Sequence, residues 1–160
     1  MRFIKLTAFS LIFFTTILSL SSCEKEAESK KGVVYQKTGI VMSGAQENPA
    51  NPSGALGTMD VTYIKGTKML TYKVTWSGLT GAPIAAHIHG LAPVGFNAGV
   101  FQTIIAAASP AYGISGSFSG SLLVDGIVVK EENLLSGLYY INIHTPTYTG
   151  GEIRGQIKFQ

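Results

Sequence analysis

The chain of 160 residues has 46% apolar and only 13% charged residues, 19 glycines and a single cysteine, with a mean hydropathy of +0.28. That balance excludes a disordered chain, which needs low hydrophobicity and high charge, and one cysteine excludes a disulfide scaffold or a cysteine-cluster zinc site. The formal charge of +3 includes Arg2 and Lys5; residues 23–160 hold ten basic and nine acidic side chains, with no basic stripe interleaved with aromatics, so no nucleic-acid partner is expected.

The N-terminus has a secretory layout. Arg2 and Lys5 precede an apolar run at 6–20 (LTAFSLIFFTTILSL), shorter than the roughly 20 residues of a membrane-spanning helix. Residues 1–22 are read as a signal peptide. Leu20-Ser21-Ser22-Cys23 resembles the lipobox of bacterial lipoproteins. That resemblance implies that Cys23 is diacylated and becomes the new N-terminus. It also implies anchoring by several acyl chains, since one chain alone binds a membrane only marginally. A place in the cell envelope follows, with the outer membrane expected and either of its faces open. Residues 23–32, with the polar run EKEAESKK at 24–31, read as a lipidated cysteine and its tether.

From residue 33 to 160 the pattern is all-β. Leu70, Tyr72, Val74 and Trp76 alternate with Met69, Thr71, Lys73 and Thr75, and Met59, Val61 and Tyr63 alternate with Thr58, Asp60 and Thr62. Lys65-Gly66 between these runs reads as a tight hairpin turn. Further strands are expected near 33–42, 83–90, 99–106, 114–124, 138–145 and 152–159, about eight short strands in all, which is the pattern of a sandwich or barrel. Only 130–136 (KEENLLS) suggests a helical turn. Trp76 and Tyr72 are expected in the core.

The three histidines all fall in expected strands. Ala86 and Ile88 point one way, His87 and His89 the other; Ile141 and Ile143 point inward, Asn142 and His144 outward. In the last strand Glu152, Arg154 and Gln156 share the outward side. Two histidines at i and i+2 on a strand lie about 7 Å apart, within reach of one ion, and imidazole nitrogen suits copper or zinc. His87, His89 and His144 are therefore candidate metal ligands, copper before zinc. The alternative is that outward histidines hydrogen-bond Thr, Asn and Glu neighbours, with Glu152 and Arg154 forming a surface ion pair of little energetic weight.

Four ordered segments carry a resemblance to a known family. Met42–Pro49 (MSGAQENP), Ala86–Gly90 (AHIHG), Tyr140–Thr145 (YINIHT) and Gly151–Ile157 (GEIRGQI) resemble the CHRD domain, repeated in chordin and found singly in bacterial secreted proteins. The resemblance covers roughly residues 36–159. It implies an immunoglobulin-like, Greek-key β-sandwich with a distant likeness to copper–zinc superoxide dismutase, and no established activity. The dismutase likeness implies copper ligation by His87, His89 and His144 on an outer face. It implies supporting or anion-steering roles for Asn142, Glu152 and Arg154. A fourth histidine, the zinc ligands and the disulfide of the dismutases are absent from this sequence.

No other motif competes. There is no nucleotide-binding glycine motif, no GxSxG and no free cysteine nucleophile, so no nucleotide and no enzyme are expected. The loop 91–99 is either a cover for the histidines or a plain connector, and 145–151 reads as a hairpin turn beside His144. The expected function is a lipid-anchored envelope module of binding or structural type, with a protein or glycan ligand. The alternative is a copper- or zinc-binding protein with possible redox activity.

Overall fold

Alternating side chains build eight strands: β1 Val34–Ser43, β2 Leu56–Ile64, β3 Met69–Ser77, β4 Ala85–Gly90, β5 Val100–Ile105, β6 Gly116–Leu123, β7 Tyr139–His144 and β8 Ile153–Gln156. One short helix, α1 Glu131–Leu135, and a 3-10 turn at Gly44–Gln46 complete the regular structure. The computed structural model describes residues 32–107 and 111–160. The expectations for the signal at 1–22, Cys23 and the tether to Lys31 lie outside those residues.

The strands form one antiparallel sheet in the order β5-β4-β7-β8-β1-β2-β3-β6. Placing β4 beside β7 and β3 beside β6 gives the crossover pattern of a Greek key. The sheet curls until its edges approach: Gln102 Nε2 of β5 donates to the Ser121 carbonyl of β6 at 3.1 Å. The result is an all-β sandwich or nearly closed barrel, as the alternation implies.

The period of two decides which residues enter. In β3 the buried side chains are Leu70, Tyr72, Val74 and Trp76, and in β2 Met59, Val61 and Tyr63. They meet Ala86 and Ile88 from β4, Ile141 and Ile143 from β7, and Ile153 and Ile157. Each fully buried aliphatic side chain stabilises by about 1.5–3 kcal/mol. Trp76 closes one end and donates Nε1–H to the Gly113 carbonyl at 3.1 Å.

One local expectation is corrected. The β2–β3 connection is not a two-residue turn at Lys65-Gly66 but a four-residue loop, because Ile64 pairs with Met69. Backbone bonds from Thr67 N to Ile64 O and Lys68 N to Lys65 O close it, and the left-handed conformation falls on Lys68, φ +55°.

β7 and β8 differ from the other strands in being buried at every position. Their inner faces belong to the core. Their outer faces are covered by three connections: residues 44–55 between β1 and β2, 91–99 between β4 and β5, and 145–152 between β7 and β8. The histidines lie under this cover.

Candidate metal centre

Register assembles the cluster. In the β4–β7 pair, His87 stands opposite Asn142, His89 opposite Tyr140, and Ala85 opposite His144. The four polar side chains His87, His89, Asn142 and His144 therefore share the outer face of two adjacent strands. One nitrogen from each imidazole lies within 4.8 Å of one from each of the others. The expectation of an exposed face is corrected: His89 and His144 are buried and His87 is half-buried.

Hydrogen bonds fix two of the ring tautomers. His89 Nδ1 lies 2.9 Å from the Ala98 carbonyl, and His144 Nδ1 lies 2.9 Å from the Thr149 carbonyl. A carbonyl only accepts, so Nδ1 carries a proton in both rings, and in the singly protonated ring Nε2 keeps a bare lone pair. Both Nε2 atoms face Asn142 Oδ1, at 3.1 and 3.0 Å. His87 Nδ1 lies 3.1 Å from His144 Nε2 and can supply one proton to this group. Burial, with His144 and His89 adding to it, pushes His87 down to about 4. Burial also lowers His144, against the pull of the Thr149 carbonyl. These two rings are neutral at pH 7, so the cluster is rich in acceptors and poor in protons.

The surrounding side chains hold the rings still. The Tyr140 ring is stacked on His89, and the Arg154 guanidinium carbon lies 3.4 Å from the Tyr140 ring centroid. Arg154 donates to the Phe96 carbonyl at 2.9 Å, to Asn97 Oδ1 at 3.3 Å and to Gln156 Oε1 at 3.2 Å. Loop 91–99 is thereby a cover tied to the sheet. Arg154 is 1% exposed and does not present its charge to solvent. The expected Glu152–Arg154 surface pair is corrected as well, because the ion pair found among the described residues is Lys65–Glu131. Glu152 is fully buried and turned away, accepting from Ser53 Oγ, Thr80 N, Thr80 Oγ1 and Thr145 Oγ1.

The geometry involves all four segments singled out in the sequence, and the chain matches the CHRD domain over residues 38–157. This protein belongs to the CHRD-domain family. No curated protein and no solved structure matches the chain. The histidines, Asn142, Glu152 and Arg154 all lie within the matched CHRD span.

One further residue of the segment Met42–Pro49 belongs to the site. Glu47, just after the 3-10 turn, is 8% exposed, and its Oε1 is buried without a hydrogen-bond partner. Burial raises its carboxyl to about 7, with the Arg154 charge and the Asn142 amide pulling it down. It is a single acid in a turn-rich segment, without periodicity to say which way it points. An open groove of about 590 Å³ over β2, β3 and β6 contains none of these residues.

Proposed function

We propose that this CHRD domain is a binding module that takes one copper or zinc ion on His87, His89 and His144, held at the cell envelope by lipid on Cys23. The observation that carries the metal reading is the pair of fixed tautomers. His89 and His144 each spend their Nδ1 proton on a backbone carbonyl and aim an Nε2 lone pair into the same space. A ring nitrogen donating to a carbonyl while the other binds is the usual outer arrangement of metal-ligating histidine.

Three imidazole ligands suit copper and zinc. Bonds of about 2.0–2.1 Å put the nitrogens of a tetrahedral site about 3.3 Å apart. The 4.8 Å span of the ring nitrogens therefore closes with modest side-chain movement. His87, the half-buried member, is on the accessible side. The reading stops at binding: with Arg154 covered by Tyr140 and loop 91–99, the anion-steering charge that dismutase activity needs is not offered to solvent. The anchor reading is supported by the sequence alone, from the lipobox-like Leu20–Cys23.

The experiment is copper loading of the full chain in detergent, dialysis and metal quantification, beside a His87→Ala/His89→Ala variant. One equivalent of copper in the parent, lost in the variant, is expected. Equal copper in both would sink the metal reading. Fatty-acid labelling of a Cys23→Ala chain tests the anchor, and retained label would exclude Cys23 as the acceptor.

A further inference from the structure

We infer that Glu47 is a positioning residue for the histidine cluster, holding the Asn142 side chain with its oxygen toward the imidazoles. The inference rests on the metal-binding reading and deepens it.

The orientation of Asn142 needs an explanation. Its Oδ1 stands 3.1 and 3.0 Å from two nitrogens that are themselves acceptors. Without a cation, acceptor faces acceptor. A half-turn of the amide would put Nδ2 there instead, donating to the imidazole lone pairs and capping them. Something behind the amide must oppose that turn.

Glu47 stands in that place. A Cβ built on Gly151 would collide with Glu47 Oε1 and would stand 2.8 Å from Asn142 Nδ2, so the carboxylate oxygen and the amide nitrogen flank the same bare backbone position, and the Asn142 amide pulls the Glu47 carboxyl down. Gly151 has φ +129°, a conformation that favours glycine, and leaves room for both. Oε1 is buried and has no hydrogen-bond partner among the described residues, so its lone pairs are unspent. An ionised carboxylate attracts the amide N–H and repels the amide oxygen, and hydrogen bonds to charged acceptors are the stronger kind. The buried Arg154 guanidinium, which has no salt-bridged carboxylate among the described residues, favours the ionised form. The chain from β1 to the site is then Glu47, Asn142, and His89 with His144. Its effect is to keep an acceptor oxygen, not an amide donor, facing the His89 and His144 Nε2 atoms, with the His87 Nδ1 proton the one that a cation would displace.

The test compares Glu47→Gln with the parent at pH 8, in the full chain, with circular dichroism confirming the fold. Glutamine offers a donor as well as an acceptor, so it no longer repels Asn142 Oδ1 and frees the amide to turn its Nδ2 toward the imidazole lone pairs. Copper affinity should fall by about 10–100-fold, the usual range for losing an outer partner of a metal ligand. In the metal-free protein, cross-relaxation between the Asn142 amide protons and the imidazole ring protons should appear in the variant and be absent in the parent. A second pair separates positioning from general disruption. Asn142→Asp offers an oxygen whichever way it turns, so adding Glu47→Gln to it should leave copper affinity within about twofold, as the residues no longer couple through the amide. Parent-like affinity in Glu47→Gln would overturn the inference, and so would an equal loss in both backgrounds. If the parent itself takes up no copper, the metal reading falls; the amide-proton measurement still decides the orientation that Glu47 imposes.

Discussion

The Tyr140 ring lies flat on the His89 imidazole, with centroids 4.8 Å apart and planes within 5°. Arg154 from β8 covers Tyr140 on the far side, so three side chains from β4, β7 and β8 form a layered stack across adjacent strands. The stack and the Ala98 carbonyl together leave His89 one orientation, and it is the orientation that aims Nε2 at the cluster.

Tyr140 should therefore be sensitive to loss of the ring and tolerant of loss of the hydroxyl. Its hydroxyl accepts one bond, from Ala98 N at 3.3 Å. Tyr140→Phe should cost about 1 kcal/mol, while Tyr140→Ala should cost about 3–5 kcal/mol, as for other large-to-small aromatic truncations. Urea unfolding of the metal-free proteins measures both. Equal losses would show that the hydroxyl, not the stacked ring, holds this layer.

Glu152 is a buried carboxylate stabilised by donors instead of by a cation. Oε1 accepts from Ser53 Oγ at 2.7 Å and Thr80 N at 2.9 Å, and Oε2 from Thr80 Oγ1 at 2.9 Å and Thr145 Oγ1 at 2.6 Å. Burial pushes its pKa up, but these bonds outweigh it and the net direction is down. A depressed carboxylate contributes stability that is present above its unfolded value and is lost as pH falls below it. Glu152→Gln should cost about 2–4 kcal/mol at pH 7, because one amide nitrogen is turned toward donors. The gap between variant and parent should narrow as pH is lowered beneath the ordinary 4.5. Denaturation midpoints at pH 7 and pH 3.5 give the answer, and a gap that widens in acid would contradict it.

The strands were legible because period two is a direct consequence of a sheet with one face in a core, and Leu70, Tyr72, Val74 and Trp76 enter as written. The shared face of His87, His89 and His144 was legible for the same reason. Their burial was not. The outer face of β7 and β8 is closed by loops 44–55, 91–99 and 145–152, and loops hold no periodicity from which a cover can be read. Arg154 looked like a surface charge because alternation gives a side chain its face and not what lies over that face. Glu47 was missed on the same ground. Its place depends on Gly151, more than a hundred residues away, leaving space for it. Lys65-Gly66 misled because glycine is the usual punctuator of a tight turn, whereas pairing of Ile64 with Met69 demanded a wider loop.

The raised pKa of Glu47 gives the last prediction. In the folded chain burial holds the proton to about pH 7, against the pull of Arg154 and Asn142, whereas the unfolded value is the ordinary 4.5. Between those limits the folded state binds more protons from this group. Stability attributable to Glu47 is therefore complete below pH 4.5 and declines as pH rises to 7. His87 runs the other way: with a folded value of about 4 against 6.5, it contributes above pH 6.5 and that contribution is lost as pH falls toward 4. His144 has the same direction as His87. Glu47→Gln removes the one declining contribution and leaves both histidines. The metal-free variant should thus gain stability relative to the parent steadily from pH 5 to pH 7.5, on top of any pH-independent offset from the reversed Asn142 amide. Urea midpoints at half-unit intervals across that range read the difference directly. A difference that stays constant would mean that Glu47 titrates alike in the folded and unfolded chain, and that its burial beside Arg154 does not set its charge.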